Sequence, residues 1–342
     1  IVALVLAAFF GPYLSPHTYF RQDLKLSNIP PAFETYAVPQ ENGTVTRFFL
    51  NASNFNLYEV DAEGRVLGLL RGGRKDIIKK SQPYEFGDQA VTLDYSKLPA
   101  RLLLEDGTEL RPSGWSWNRT YLFGTDQLGR DILVRQLYGA QISLTVAFVA
   151  TLVNFFIGVF YGGIAGYVGG RVDAVMMRIV EIISTIPLTL YVVLLMVVFD
   201  SGLLSIIVAI GSVFWVDMAR IVRGQILSLK SQDYVAAART MGASPTRILT
   251  KHLLPNSIGP IIVTLTMLIP SAIFIESFMS FIGLGVTPPL ASWGSLTSEA
   301  VETLRTYPHQ LFFPAAAISL TMFAFNFLGD GLRDALDPRL RG

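Results

Sequence analysis

The sequence predicts an all-α polytopic membrane protein that carries a β-rich insert after its first helix. Of the 342 residues, 51% are hydrophobic and only 15% are charged, with a mean hydropathy of +0.46, whereas soluble domains have about 25% charged residues. Several apolar stretches are long enough to cross a hydrocarbon core of about 30 Å. The stretch 16–120 is instead polar and rich in turn residues, which is typical of short strands.

Six membrane-spanning helices are predicted. Five apolar stretches of sufficient length lie at 142–168, 173–199, 203–223, 257–282 and 311–330. The sixth is the apolar segment 1–15, which by itself is too short to span. Because the chain begins with Ile1 rather than Met, we expect this helix to start before residue 1. A secretory signal peptide is the alternative, but neither a basic segment nor a small-residue cleavage pattern accompanies the apolar run.

The distribution of basic residues predicts the orientation. One set of short loops and helix ends contains Arg171, Arg178, Arg220, Arg223, Lys230, Arg239, Arg247 and Lys251. The short loops on the opposite side contain only Arg305. Because basic residues accumulate in cytoplasmic loops, we expect both termini, the stretch 231–256 and the tail 331–342 to be cytoplasmic. The insert 16–120 is then extracytoplasmic, and 141–330 forms the transmembrane core.

Two hairpins are predicted within the insert. Residues 57–60 and 65–69 flank a turn that ends in Gly64, and residues 100–104 and 109–111 flank a second turn that ends in Gly107.

The segment 121–140 is predicted to be amphipathic and to lie at the membrane interface. Thr125 or Asp126 can cap its helix. A calcium site formed by Asp126 and Asp131 is the alternative, although the spacing of EF-hand ligands is absent.

The polar stretch 231–256 lies between the fourth and fifth predicted spans and indicates a helical hairpin. Ser231 can cap the first helix, and Gly242 suits the left-handed backbone that often ends a helix. Ser244 and Pro245 are typical of a new helix start, and Pro255 is expected to end this second helix. Helices this short need a surface to pack on. A loop that lies on the membrane surface is the simpler interpretation.

This hairpin resembles the EAA loop of ABC importer permeases. The family pattern is Glu-Ala-Ala, three residues, Gly, nine residues, then a residue followed by x-Leu-Pro. The matching positions in this sequence are Ala237, Ala238, Gly242, Leu254 and Pro255, with Ala236 in place of the Glu. The segment FGTDQLGRD at 123–131 also resembles a signature of peptide permeases. Residues 120–342 are similar to the C-type permease subunit of dipeptide and oligopeptide importers.

The resemblance implies a type I ABC importer permease fold and several partners. These are a homologous second permease, two cytoplasmic ATPase subunits that bind ATP and Mg²⁺, an extracytoplasmic peptide-binding protein, and membrane lipid. The chain itself is expected to bind no cofactor. Its location would be the bacterial or archaeal cytoplasmic membrane. Contact with an ATPase is expected from Tyr234, Ala236, Ala237, Ala238, Met241, Gly242, Ile248, Leu249, Leu254 and Pro255.

Charged residues and prolines within the apolar stretches are candidates for the translocation path. Glu276 has no opposite charge nearby in sequence, and we expect it to face the translocation cavity. Pro187 and Pro270 interrupt helices that otherwise continue, which fits either a moving pore lining or a static kink. Two further carboxylates have an Arg three residues away on the same helix and are interpreted as structural ion pairs, namely Arg178–Glu181 and Asp217–Arg220.

Enzymatic functions find no support in the sequence. A phosphate-binding loop, a His-Glu-x-x-His motif and a Gly-x-Ser-x-Gly motif are all absent, and there is no Cys. The three His are scattered, no metal site is expected, and a net charge of +1 does not indicate nucleic acid binding. An ion-coupled secondary transporter is the alternative of another class, but it would need internal repeats and midplane ion ligands. Peptide is the expected substrate, and import of nickel or opines is the alternative within the family.

Overall fold

The computed structural model describes residues 1–40, 43–52, 54–87, 89–198 and 202–336. The chain divides into two compact units. A helical unit consists of Ile1–Phe9, Tyr138–Ser298 and Pro314–Gly342, and a second unit of Phe10–Leu137 and Glu299–Phe313 contains the β-strands.

The helices largely follow the apolar stretches of the sequence. Their bounds are α1 Val2–Leu14, α2 Ile132–Val168, α3 Gly170–Thr185, α4 Leu188–Val198, α5 Leu203–Val213, α6 Trp215–Lys230, α7 Asp233–Thr240, α8 Pro245–Arg247, a π-helix at Ile248–Leu253, α9 Leu254–Asn256, α10 Ile258–Phe281, α11 Trp293–Val301 and α12 Pro308–Leu336.

In the part of the chain that the structure describes, four helical segments are long and apolar enough to cross a membrane. These four segments are α2, α5 joined to α6, α10, and α12. The pair α3 and α4 is a fifth candidate span, with a bend of 84° between its two helices. The helix α1 has only 13 residues. The predicted count of six therefore stays a prediction.

Two predicted segments take a different form in the structure. The span expected at 173–199 is interrupted between Thr185 and Leu188, at the proline that the sequence indicated, because Pro187 lacks an N–H donor and disfavours helical angles in the residue before it; position 199 lies outside the described residues. A separate interfacial segment at 121–140 is also not seen, since α2 starts at Ile132 and continues without a break through the predicted span.

The helices α2 and α6 approach each other closely at three glycines of α2. Gly158, Gly162 and Gly166 are spaced four residues apart on α2, and therefore lie on one face of the helix. A Cβ atom at Gly162 would lie 2.2 Å from the carbonyl oxygen of Ala219 in α6. Small residues at this spacing allow two spanning helices to approach closely. The stripe thus fixes α2 against the helix that leads into the hairpin.

Among the described residues of the second unit, eight strands form two antiparallel sheets. The five-stranded sheet has the order β4-β3-β2-β1-β8, and the three-stranded sheet has the order β5-β6-β7. The strand bounds are β1 Ala32–Pro39, β2 Val45–Asn51, β3 Asn56–Val60, β4 Val66–Leu69, β5 Ser81–Phe86, β6 Gln89–Asp94, β7 Arg101–Leu104 and β8 Gly114–Trp117.

Both predicted hairpins are confirmed. The strands β3 and β4 pair with Tyr58 opposite Leu69. In the second hairpin, the amide of Leu110 donates to the carbonyl of Leu102 at 2.8 Å. The larger sheet is stabilised by stacked aromatic rings, since Phe49 lies between Phe33 and Tyr58 with centroid distances of 4.1 and 5.0 Å.

Candidate functional site

The first arm of the hairpin begins one residue later than predicted. The helix α6 continues to Lys230, and the hydroxyl of Ser231 donates to the carbonyl of Ser228 instead of capping α7. The residue that precedes α7 is Gln232, whose side chain makes no capping hydrogen bond. The predicted cap at Ser231 is therefore wrong, because α6 uses this hydroxyl at its own C-terminus.

The turn between the two arms agrees with the prediction. Gly242 has a φ of +83°. The amide of Gly242 donates to the carbonyl of Arg239 at 2.9 Å, and the amide of Ala243 donates to that of Ala238 at 3.0 Å. These two bonds define a Schellman motif, which requires a left-handed residue at the position of Gly242.

The second arm starts as predicted and ends differently. The hydroxyl of Ser244 accepts a hydrogen bond from the amide of Arg247, and Pro245 occupies the first turn. The chain then forms the π-helix, and Pro255 lies within the helical turn that follows it. Proline is tolerated there because it stands in the first turn of α9, where an N–H would lack a partner. The expected helix end at Pro255 is thus wrong, and only Ser257 separates this arm from α10.

Burial divides the predicted contact residues into two groups. Ala238 and Ile248 are buried, and Leu249 and Leu254 are half-buried. All four pack against the helical unit in one core cluster, together with the buried residues Val159, Met218, Val222, Ile226, Val235, Leu253, Ile261 and Leu268. The chain's own helices cover Ala238 and Ile248, so any ATPase contact of the hairpin falls to its exposed residues and stays a prediction.

The second group forms an exposed surface. Its most prominent side chain is Met241, which is 81% exposed, beside Tyr234 at 39%. The other exposed positions of the predicted set are Ala236, Ala237, Gly242 and Pro255. We call Tyr234, Ala237 and Met241 the hairpin surface. Nothing within the chain covers it among the described residues.

The hairpin and the end of α6 that precedes it both contact Tyr167 of α2. The ammonium of Lys230, the last residue of α6, donates to the carbonyl of Tyr167 and lies 5.5 Å from the centre of its ring. The guanidinium of Arg239 lies 6.0 Å from the same ring. Such cation–π contacts add to the apolar packing. These contacts hold the first arm of the hairpin beside α2.

Glu276 does not face a cavity within this chain. It is completely buried, and its two carboxyl oxygens accept hydrogen bonds from the hydroxyls of Ser143 at 2.7 Å and Ser280 at 2.8 Å. The hydroxyl of Ser143 also accepts a hydrogen bond from the amide of Trp293, at 3.2 Å. The carboxyl group thus connects α10 with α2 and with the start of α11. Within this chain, hydroxyl groups distant in sequence satisfy Glu276, and a role in the translocation path stays a prediction.

The remaining residues named from the sequence lie at a helix bend, inside a helix and in two ion pairs. Pro187 is exposed at the bend between α3 and α4, whereas Pro270 is buried inside the unbroken helix α10. The two predicted ion pairs are confirmed, with N–O distances of 3.0 Å for Arg178–Glu181 and 3.3 Å for Asp217–Arg220.

A buried ion cluster in the second unit was not expected from the sequence. Asp126 contacts the guanidinium groups of Arg130 and Arg135, both at 2.7 Å, and both arginines also contact Glu299. The helix α2 is capped by Asp131 rather than by Thr125 or Asp126, since the carboxylate of Asp131 accepts hydrogen bonds from the amides of residues 133 and 134. Burial raises the pKa of Asp131 above its ordinary value. The only sequence signal for the cluster was an Arg in the first turn of an apolar helix.

Several apolar helices long enough to cross a membrane indicate a polytopic helical membrane protein, with an exposed apolar surface on the hairpin between two of these helices. The family model "Binding-protein-dependent transport system inner membrane component" matches residues 158–342, which include the hairpin. A second model, "N-terminal TM domain of oligopeptide transport permease C", matches residues 1–31. The chain belongs to the family of binding-protein-dependent transport system inner membrane components. This confirms the predicted resemblance and the prediction of a transport subunit rather than an enzyme.

Curated relatives support the same family. The chain is 53% identical over 224 residues to an oligopeptide transport system permease protein of Bacillus subtilis (strain 168), which is 66% of this chain and 73% of that protein. It is 54% identical over 233 residues to a dipeptide transport system permease protein of the same strain, covering 68% and 71%. A solved structure of an inward-facing methionine ABC transporter aligns with a TM-score of 0.49 at 21% identity, covering 58% of this chain and 94% of that one.

Proposed function

We propose that this chain is one of two permease subunits in an ATP-driven importer of dipeptides and oligopeptides. The observation that supports this most strongly is its identity of 53% and 54% to an oligopeptide and a dipeptide permease. The partners would be a homologous permease, two cytoplasmic ATPases and an extracytoplasmic peptide-binding protein. ATP and Mg²⁺ would bind to the ATPases.

The hairpin surface is the proposed contact with an ATPase. Its apolar side chains are exposed, while the opposite side of the hairpin is packed in the core cluster. A force applied at Met241 would therefore reach α2 and α6 through buried contacts. Closure of the two ATPases would then move these helices and change the side to which the translocation path opens.

The proposed topology has six spans. They are α1, α2, the bent pair α3 and α4, the joined α5 and α6, α10 and α12. The excess of basic residues near the hairpin supports a cytoplasmic hairpin and cytoplasmic termini. The strands between Ala32 and Trp117 would then be extracytoplasmic.

Transport in proteoliposomes tests the function. The chain is reconstituted with its second permease and both ATPases, and labelled peptide is supplied with the binding protein. We expect uptake that requires ATP on the side of the membrane where the ATPases are bound. Unlabelled peptides should compete with this uptake, whereas nickel complexes and opines should not. Uptake driven by an ion gradient in vesicles without ATPases would contradict the proposal.

A pair of substitutions tests the hairpin surface. Met241→Glu introduces a charge into the proposed apolar contact, and we expect weaker ATPase binding and loss of ATP-dependent uptake. Met241→Leu keeps the apolar contact and serves as the matched control. Equal ATPase binding by both variants would exclude this surface as the contact.

The β-strand unit is proposed to contact or gate the binding protein. Its placement in the predicted extracytoplasmic part supports this role. Removal of residues 40–110 is expected to lower uptake and the affinity for the binding protein. A passive rim against the second permease is the alternative, and unchanged uptake together with unchanged binding would favour it.

A further inference from the structure

A polar cavity lies beside the start of α2, entirely within the unit that contains the β-strands. Its volume is about 190 Å³, whereas a single water molecule needs roughly 10–15 Å³ by the same measure. The walls include two carboxylates, a guanidinium group and a pair of stacked rings, which belong to Asp23, Asp131, Arg21, His17 and Tyr121. The cavity is therefore large enough for a small organic group and offers it both signs of charge.

The carboxylate of Asp131 is only partly used by the fold. The residue is 5% exposed and lines the cavity. Its Oδ1 atom accepts hydrogen bonds from the amides of Leu133 and Val134 and so caps α2. Its Oδ2 atom has no hydrogen bond or ion pair within the described residues. A buried carboxylate is costly unless donors or a positive charge accompany it, so Oδ2 is an acceptor available to a ligand.

The neighbouring arginines do not neutralise this carboxylate. Arg130 and Arg135 both lie close in sequence to Asp131, but their guanidinium groups contact Asp126 and Glu299. The ion cluster thus satisfies its own charges and leaves Asp131 outside.

The two basic residues of the cavity are not paired with Asp131 either. The ring of His17 stacks on that of Tyr121, with a centroid distance of 4.9 Å. Arg21 is exposed and makes no ion pair in the part of the chain that the structure describes. One cavity therefore contains a carboxylate that can accept from a cation and a guanidinium that can bind an anion.

The backbone holds the second carboxylate in the same cavity. Gly129 has a φ of +71°, and a Cβ atom there would lie 1.9 Å from the carbonyl oxygen of Asp23. The amide of Asp23 also donates to the carbonyl of Leu128 at 3.1 Å. This close approach fixes the loop of Asp23 beside the loop that ends at Asp131.

The chemistry of the walls favours an organic ammonium group over a metal ion or an anion. Ca²⁺ takes about six to eight oxygen ligands, and the described residues contain no group of three or more His, Asp or Glu that could hold a metal. An anion would meet the carboxylates of Asp23 and Asp131. Aromatic rings beside a carboxylate instead suit an ammonium group, through cation–π attraction and charge-assisted hydrogen bonds.

We propose that this cavity binds the free α-ammonium group of a short peptide. Oδ2 of Asp131 accepts one of its three N–H donors, and the rings of His17 and Tyr121 form the adjacent wall. Arg21 binds the terminal carboxylate of a dipeptide. In the proposed topology the cavity is extracytoplasmic, so it would hold a peptide before translocation. The inference rests on the proposed function, which supplies the peptide.

Equilibrium dialysis of labelled alanylalanine against the purified transporter, without ATP and without the binding protein, tests the site. Asp131→Asn is the main variant, because Asn caps a helix as well as Asp does but has no charge. Asp106→Asn is the matched control, since Asp106 is exposed in the same unit and also accepts a backbone amide. We expect Asp131→Asn to weaken binding roughly tenfold, the usual scale for a hydrogen bond to a charged group, and Asp106→Asn to leave it unchanged.

Changes in the ligand show which of its ends meets which residue. N-acetyl-alanylalanine has no ammonium group, so its binding should be weak and should not fall further in Asp131→Asn. Arg21→Gln is a second variant at an exposed position. It should weaken the binding of alanylalanine but not that of its C-terminal amide, and this comparison decides the question if Asp131→Asn does not fold.

Four outcomes overturn the proposal. They are equal binding of alanylalanine by Asp131→Asn and the unsubstituted chain, an equal loss for the acetylated peptide, displacement of the peptide by Ca²⁺, and tighter binding of free alanine than of alanylalanine. Peptide uptake with the binding protein is measured in parallel. ATP-dependent uptake without ammonium-dependent binding would leave the proposed function intact and remove only this site, whereas ammonium-dependent binding without ATP-dependent uptake would do the reverse.

Discussion

The glycine stripe on α2 predicts a large difference between two neighbouring substitutions. Gly162→Ala places a Cβ atom 2.2 Å from the carbonyl oxygen of Ala219. Ordinary contacts of a carbon atom lie at roughly 3.5 Å or more, so the two backbones must separate by roughly 1 Å. Overpacking of this kind destabilises by about 1–3 kcal/mol. Gly163→Ala is the control, since its Cβ meets only the side chains of Leu249, at 3.7 Å, and Leu254, at 4.0 Å, which are ordinary contact distances.

The comparison isolates the steric term because both substitutions replace Gly by Ala in the same helix. The intrinsic gain in helix propensity, about 1 kcal/mol, is therefore common to both variants. We measure thermal unfolding of the purified protein in detergent by intrinsic fluorescence. Gly162→Ala is expected to unfold several degrees below Gly163→Ala, at about 2–4 °C for each kcal/mol. Equal melting temperatures would refute direct backbone packing between α2 and α6.

Three further predictions follow from the hairpin, the buried carboxyl group and the ion cluster. Gly242→Val forces a β-branched residue into a left-handed backbone at a cost of about 1–2 kcal/mol, so ATP hydrolysis should continue without peptide uptake. Gly242→Asn is the control, because Asn tolerates this backbone and transport should remain coupled. Full coupling in the Val variant would contradict the role of the turn. Glu276→Ala should lower the thermal stability more than Ser143→Ala, because it leaves the hydroxyls of both Ser143 and Ser280 without this acceptor. A larger loss of stability in Ser143→Ala would contradict a central role of the carboxyl group. Burial raises the pKa of Glu299, but the hydrogen bonds and charge of Arg135 outweigh it and hold this pKa below its ordinary value. Glu299 therefore stabilises the fold above its unfolded pKa and loses this effect as the pH falls through its folded pKa; melting curves from neutral to acid pH should be flatter for Glu299→Gln, and an unchanged acid dependence would exclude this role.

Local sequence signals predicted local structure well. Gly242 was identified correctly because a left-handed helix end depends only on a few consecutive residues. Ser244 and Pro245 marked a helix start for the same reason. The predicted helix end at Pro255 was wrong because proline ends a helix only where its backbone N–H would be needed for a hydrogen bond. The π-helix before Pro255 changes which N–H groups are needed.

Contacts between distant residues could not be predicted. The inner side of α7 is formed by Val235 and Ala238, whereas the periodicity grouped Ala238 with Tyr234 on one face, because a helix of eight residues is too short to show which side is covered. Glu276 accepts its hydrogen bond from Ser143, which is 133 positions away. Arg135 and Glu299 are 164 positions apart. A single sequence contains no signal that pairs such positions.

Backbone contact between α2 and α6 has a mechanical consequence. In the proposed mechanism, two helices in such close contact would move together when the hairpin is pulled. The helical backbone is interrupted at the 84° bend before Leu188, whereas Phe214 keeps helical angles and joins α5 to α6 in one span. We therefore expect bending before Leu188 rather than within the α2–α6 pair.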